Sequence, residues 1–358
     1  MWRPHRMPLD WLWCCYQPFA VASSKTRRRP QQGYSVKEGC SYDRSELMFK
    51  VLVAGGGGFV GSALVGALAA GGYDVSVMTT SERTFPKPVR TIRLERWHPG
   101  GVLEAEAAPQ YDWIFNAAAY GVDPSQTDAT AAHLANAELP LAFVDLARRA
   151  GGSALVHVGS CFEYADAAVR RPLCESDPLE TVKTYNASKV AGTLAVVEAA
   201  HRSHVNAVVA RLFGVYGAGE RPWRLLPSIH DRLVRGQPVP LSEGSQVRDY
   251  LHIEDAAAGL IALAASISEV PRASSIVNLC SGTEVTVRRF AETLAGALGA
   301  PRELLQFGAI PMRPREIAYL VGDVGVLNSL TPWRPAYTLE RGIAKAAAEL
   351  SAKFQRSV

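Results

Sequence analysis

The chain alternates short, wholly apolar runs with longer stretches whose apolar residues recur at helical spacing. Phe49–Ala54 is the first such run, and Lys50–Ala54 within it is β-branched and apolar enough for a strand buried on both faces. Phe59–Ala70 has the length of a helix and ends at Gly71–Gly72, which suits a C-cap. Asp74–Thr79 reads as the next strand, and Ser153–Ser160 (SALVHVGS) as another buried one. Ala131–Arg149 and Thr184–His204 are alanine- and leucine-rich stretches with helical stripes. Buried strands separated by helices predict an α/β fold with a doubly wound parallel sheet over about Met48–Leu212 and right-handed crossovers. Segments near Tyr250–Ala265 and Ser275–Leu279 should return to that sheet. Gly214–Val247 and Gln306–Pro335 should form a smaller C-terminal lobe, so that 48–213 is the main domain and 214–358 mainly the lobe.

Residues 1–47 do not fit this pattern. They lack sustained periodicity, hold Pro4, Pro8, Pro18 and Pro30, and carry the basic run Arg27–Arg28–Arg29. Met7–Ala22 resembles a signal-peptide core only until Asp10 interrupts it. The segment reads as a disordered extension or the product of an upstream start, with Met48 directly before the first strand. Charge follows the same division. The chain of 358 residues has a formal net charge of +4, from 38 Lys/Arg against 34 Asp/Glu. Eight of those bases and four of those acids precede residue 48, leaving 30 of each in the remainder. A neutral body carries no footprint for nucleic acid. No apolar run reaches the roughly 18 residues of a membrane helix. Six cysteines without metal spacing or a CxxC pair read as reduced thiols in a cytoplasmic protein, with no metal site.

Candidate chemistry begins between the first strand and the first helix. Gly55, Gly58 and Gly61 recur at three-residue spacing. Glycines there permit a tight turn, close approach of backbone to a pyrophosphate, and close helix–strand packing, with a helix N-terminus facing the anion. The strand before and the helix after supply the context that makes this a dinucleotide site. The second strand ends in Thr79–Thr80–Ser81–Glu82–Arg83 rather than in a ribose-binding acid. Hydroxyls with Arg83 suit a ribose phosphate, so NADP is expected, and Glu82 keeps NAD open.

Tyr185 and Lys189 lie four residues apart and project from one face of the predicted helix. A tyrosine near its free pKa of about 10 exchanges protons poorly at neutral pH, and an adjacent ammonium should lower that value. Ser160 ends a buried strand, where ligands of open α/β sheets sit. A tyrosine, a lysine and a serine so placed could share one substrate oxygen.

With these motifs the sequence resembles the extended short-chain dehydrogenase/reductases, the NAD-dependent epimerase/dehydratase family. The resemblance runs from Met48 to the C-terminus. It rests on the glycines, the Asn116–Ala119 turn, Ser160, the Tyr185–Lys189 pair, RLFGVYGAG (Arg211–Gly219), VRDYLHIEDAA (Val247–Ala257) and Arg313–Glu316. It implies a Rossmann domain binding cofactor through Gly55, Gly58, Phe59, Val60, Gly61, Thr79, Arg83, Ala117, Ala118 and Lys189. It implies Ser160, Tyr185 and Lys189 as catalytic residues, with Arg248 and Arg313 clamping the diphosphate of a nucleotide sugar. The helices around Ala131–Arg149 and Thr184–Ala200 would pair in a homodimer, or simply pack on the sheet.

Departures from the family pattern narrow the reaction. Dehydratases of the family place an Asp–Glu pair directly after the catalytic hydroxyl, where this chain has Cys161 and Phe162. Gly214 stands where many sugar epimerases have asparagine. The closer likeness is to 4-ketoreductases of deoxysugar pathways, such as the CDP-abequose synthase group, and NADP agrees with reduction. The resemblance therefore implies reduction of a nucleotide-diphospho-4-keto-6-deoxyhexose. The alternatives are an NAD-dependent nucleotide-sugar epimerase of the UDP-glucose 4-epimerase type, a non-catalytic NADP sensor, and a reductase of a small ketone.

Overall fold

The computed structural model describes residues 48–358 apart from 86, 108–109, 167–169, 270–273, 315 and 358. The extension expected at 1–47, with Cys14, Cys15 and Cys40, lies outside the described residues, as does Arg315. Seven strands build one parallel sheet: β1 (Lys50–Ala54), β2 (Asp74–Thr79), β3 (Arg90–Arg93), β4 (Trp113–Asn116), β5 (Ala154–Ser160), β6 (Ala207–Leu212) and a final strand, Ser274–Leu279. Their spatial order is β3-β2-β1-β4-β5-β6 and then Ser274–Leu279. The chain winds outward from β1 through β2 to β3, then crosses back to β4 on the other side. This is the doubly wound α/β sheet, and its reversal between β1 and β4 opens a crevice at the carboxyl ends of the strands.

Burial on both faces explains why the central strands are rich in apolar residues. Val51 and Val53 face one side of the sheet, where they join Val75, Val77, Phe115, Val156 and Val208. Leu52 and Ala54 face the other, with Met78, Ile114, Leu155 and Val209. Helices α1 (Phe59–Ala70) and α7 (Ile253–Ser268) cover the first side. On the second side lie α2 (Pro99–Ala105), α4 (Leu139–Arg149) and α5 (Thr184–Ser203). The edge strands depart from the pattern: Ile92 is the single buried residue of β3, and the first three residues of Ser274–Leu279 are half-buried.

The helix expected over Ala131–Arg149 is not continuous. A short α3 (Ala129–His133) runs into a wide turn at Leu134–Glu138, where the Leu139 amide donates to the Leu134 carbonyl five residues back. Asn136 sits in that turn, and Pro140 follows in the first turn of α4.

A separate apolar cluster lies beyond the sheet. It joins α6 (Leu225–Val234), α8 (Val287–Leu298) and the C-terminal helix Leu339–Ser357 through Leu226, Ile229, Phe290, Leu294, Ile343 and Ala346. Small strands flank it: Val239–Leu241 pairs with Leu305–Phe307, and Val247–Arg248 lies between Val285–Thr286 and Tyr319–Leu320. Among the described residues no helix is long and apolar enough to cross a membrane.

Candidate active site

The glycine turn is built as the spacing predicted. Gly55 has φ +77°, and a Cβ there would sit 2.6 Å from the Ala118 amide nitrogen and 2.7 Å from the Ala117 carbonyl carbon. The turn after β1 thus lies directly on the turn after β4, with the Ala117 amide donating to the Ala54 carbonyl at 3.0 Å. At Gly61 a Cβ would run into the Gly55 carbonyl oxygen, so α1 rests on the turn without a spacer. Gly58 precedes α1 with no side-chain cap, and the first helical turn holds no acid. The free N–H groups and positive end of α1 fit a pyrophosphate. Phe59 is half-buried, and the Gly219 Cα side of the later loop lies against its ring. Val60 packs on the sheet core.

At the end of β2 the structure redistributes the expected roles. Thr79 is buried, and its hydroxyl accepts from the Ser81 amide at 3.0 Å. Ser81 is half-buried, and Arg83 is exposed. Arg93, at the end of β3, donates to the Ser81 carbonyl at 2.6 Å. Sequence reasoning missed Arg93, because only pairing of β3 with β2 brings it to this edge.

Ser160, Tyr185 and Lys189 converge at the carboxyl end of β5 and the first turns of α5. The Tyr185 hydroxyl is in hydrogen-bonding reach of the Ser160 side chain. Gly121, at φ +90°, holds the Tyr185 ring, since a Cβ there would lie 2.9 Å from Cδ2. Lys189 is buried, and its Nζ donates to the Val158 carbonyl at 2.6 Å. One expectation needs correction. Lys189 was to lower the Tyr185 pKa, yet burial pushes the phenol up to about 12, against a smaller opposing effect of the Ser160 hydrogen bond. The lysine charge is directed at Val158, and burial lowers Lys189 to about 8.

Around this trio lies a polar shell that spacing did not reveal. Asn136 is buried; it donates to the Tyr120 carbonyl at 2.8 Å and Ser188 Oγ at 3.0 Å, and accepts from the Tyr120 amide. Asn116 donates to His157 Nδ1 at 3.1 Å, and burial with the nearby Lys189 charge keeps that imidazole neutral. Glu163 turns inward to Arg211 at 2.9 Å and to the Ser160 amide at 2.8 Å. Glu220 accepts from the Gly217 amide and lies 3.5 Å from Arg224, whose charge also acts on Tyr185. Burial raises Glu220 to about 7.

Val247–Ala257 forms two short strands, Val247–Arg248 and Tyr250–His252, before α7. Arg248 is half-buried, and its charge acts on the Cys161 thiol beside Ser160. It is already paired with Glu316 at 2.6 Å. Arg313 is exposed, and its carbonyl accepts from the Glu316 amide, so one turn separates it from the partner of Arg248. The structure thus links the two arginines through Glu316. Among the described residues no cluster of His, Cys, Asp or Glu could hold a metal ion.

Known proteins resemble this chain in sequence and fold. A dTDP-6-deoxy-L-talose 4-dehydrogenase (NAD(P)(+)) from Kitasatospora kifunensis is 29% identical over 305 residues, covering 82% of this chain and 93% of that protein. A dTDP-glucose 4,6-dehydratase from Streptomyces griseus is 28% identical over 312 residues, covering 83% and 93%. The structure of MoeE5 in complex with UDP-glucuronic acid and NAD superposes with a TM-score of 0.73 at 25% identity, covering 86% of this chain and all of that one. The family model for NAD dependent epimerases and dehydratases matches residues 51–280, from β1 through the strand Ser274–Leu279. The chain belongs to the NAD dependent epimerase/dehydratase family and is an NAD(P)-dependent enzyme that modifies nucleotide sugars.

Proposed function

We propose that this enzyme reduces the 4-keto group of a nucleotide-diphospho-4-keto-6-deoxyhexose, with NADPH as the preferred reductant. The observation that carries the reading is the chemistry beside Ser160. The Cys161 thiol is buried and pushed up to about 12, chiefly by burial. Phe162 has no proton to move, and Glu163 is occupied by Arg211 and the Ser160 amide. Dehydration needs an acid and a base at these positions, and neither is free. A ketoreductase needs only one proton donor, and Tyr185 is a protonated phenol throughout the neutral range. The 4-dehydrogenase relative acts, by its name, on a 6-deoxyhexose of the same class.

The glycine turn, the uncapped start of α1 and the Ala117–Ala118 turn fit a dinucleotide; Ser81, Arg83 and Arg93 suit its ribose phosphate. Those residues would hold a reduced dinucleotide, and the chemistry it would supply is hydride transfer to the C4 carbon. Tyr185 donates its proton to the oxygen as that bond forms. Ser160 orients the same oxygen, and Lys189 keeps a positive charge beneath the site. Arg248 and Arg313 hold the diphosphate, with Glu316 yielding Arg248 to it.

Replacing Tyr185 by Phe tests the assignment. Turnover should fall by about 10²–10⁴ with NADPH affinity retained, and a fully active variant overturns it. The nucleotide released on denaturation tests the rival reading: tightly retained NAD points to an epimerase instead.

A further inference from the structure

We propose that His157 is a positioning residue for the dinucleotide: by accepting a hydrogen bond at Nδ1 it fixes the orientation of Asn116, and through Asn116 the Ala117–Ala118 turn. The proposal rests on the reading given above, in which that turn and the glycine turn hold the dinucleotide.

Donor and acceptor chemistry fixes each proton along this line of contacts. Ala118 is buried and its amide can only donate, so the atom that meets it at 3.2 Å is the Asn116 carbonyl oxygen, Oδ1. The other end of the same side chain is then Nδ2, which can only donate. It lies 3.1 Å from His157 Nδ1, so Nδ1 is the acceptor and the ring proton sits on Nε2. A proton on Nδ1 would set two donors against each other. Asn116 and His157 stand opposite each other in the β4–β5 register, and both are buried away from solvent. Lys189 acts on the ring from α5, and its charge together with burial disfavours the imidazolium. Nε2 has no hydrogen-bond partner among the described residues, so Asn116 is the contact that selects this tautomer.

Packing alone gives no reason for an imidazole here. Ile114, Leu155 and Val209 on this face of the sheet are all apolar, and an apolar side chain would fill the place without a polar group to satisfy. The task lies at the turn that Asn116 holds. A Cβ on Gly55 would lie 2.6 Å from the Ala118 nitrogen and 2.8 Å from the Ala117 carbonyl oxygen, so the two turns touch through backbone. The Ala117 amide donates to the Ala54 carbonyl at 3.0 Å, and the Gly55 amide to the Met78 carbonyl at 2.9 Å. A shift of the Ala117–Ala118 turn therefore passes to the glycine turn. Without an acceptor at residue 157, Asn116 Nδ2 becomes a buried donor with no partner. Rotating the side chain to relieve this withdraws Oδ1 from the Ala118 amide and frees the turn.

Two measurements on the full chain test this. In ¹⁵N NMR of histidine-labelled protein, with His157 assigned by loss of its signals in His157→Asn, Nδ1 should be unprotonated and Nε2 should carry the proton. A proton on Nδ1 overturns the proposal, and this reading needs no variant beyond the assignment. NADPH fluorescence titration then compares His157→Leu, which removes the acceptor, with His157→Asn, whose carbonyl oxygen can stand where Nδ1 does. The dissociation constant should rise about tenfold in the leucine variant and stay within about threefold of wild type in the asparagine variant. Equal losses of affinity in both variants, or none in either, overturn the proposal whatever happens to the melting temperature, since a merely structural His157 would not be rescued by an acceptor. A wild type that binds neither NADPH nor NADH overturns the dinucleotide reading and the proposal with it. A wild type that binds while the two variants behave alike overturns the proposal alone.

Discussion

Two glycines in the same helix should respond in opposite ways to the same substitution. Gly61 and Gly66 both lie inside α1, where alanine is preferred over glycine by about 1 kcal/mol. Gly66 is exposed, and a Cβ there meets nothing within 4 Å. Gly66→Ala should therefore stabilise the protein by about 0.5–1 kcal/mol and raise Tm by about 2 °C. At Gly61 the same Cβ overlaps the Gly55 carbonyl oxygen, and lies 2.8 Å from its carbon and 2.9 Å from Gly56 Cα. These are backbone atoms of a turn already pressed against Ala117 and Ala118, so no side chain can swing aside. Overpacking of this kind costs about 1–3 kcal/mol, and the rigid surroundings favour the upper end. After subtracting the helical gain, Gly61→Ala should lose about 2 kcal/mol and about 4 °C or more of Tm. Relief requires α1 to shift from the turn, which weakens the hydrogen bonds its N-terminus offers a pyrophosphate. Each such bond is worth about 1.5 kcal/mol, so dinucleotide affinity should fall about tenfold or more. Thermal denaturation by circular dichroism and NADPH fluorescence titration read both effects. A Gly61→Ala protein as stable as wild type, with unchanged affinity, refutes the packing argument.

Other predictions follow from the site. Arg83→Ala combined with Arg93→Ala should raise KM for NADPH about tenfold or more while leaving KM for NADH nearly unchanged; equal changes for both would remove the ribose-phosphate assignment. Lys189 is lowered to about 8 and Tyr185 raised to about 12, so both carry their protons below pH 8, and above it the lysine loses its charge first. Reduction should accordingly decline above about pH 8, and a rate that holds to pH 10 contradicts the role given to Lys189. Leu141 on α4 and Leu194 on α5 are exposed apolar residues. In the homodimer proposed for these helices, Leu194→Glu should yield monomers in sedimentation, and a wild type already monomeric sets that proposal aside.

Much of the sheet was legible because burial on both faces leaves an unmistakable apolar run. Asp74–Thr79 falls where the sequence put it, and Ser153–Ser160 is one residue longer than the observed strand. The α5 helix stops at Ser203 because His204 takes a left-handed conformation, φ 55°, that caps it. β3 escaped notice because three of its four residues face solvent, so it carries no apolar signal. The wide turn before α4 was hidden for a different reason. Leu134–Glu138 has helical composition, and what opens it accompanies the hold of Asn136 on Tyr120, a contact no local pattern records. That Ser160, Tyr185 and Lys189 meet was readable from spacing along β5 and α5. The buried ion pair behind Ser160 was not, since Glu163 and Arg211 are 48 residues apart and meet only when β5 and β6 pair.

Reduction itself is tested most directly by mixing the enzyme and NADPH with dTDP-4-keto-6-deoxyglucose and following absorbance at the nicotinamide band while NMR identifies the sugar. The proposed function predicts one NADPH oxidised for each keto group lost, with a 6-deoxyhexose bearing a 4-hydroxyl as product. A sugar that isomerises while NADPH is untouched contradicts it and makes the enzyme an epimerase.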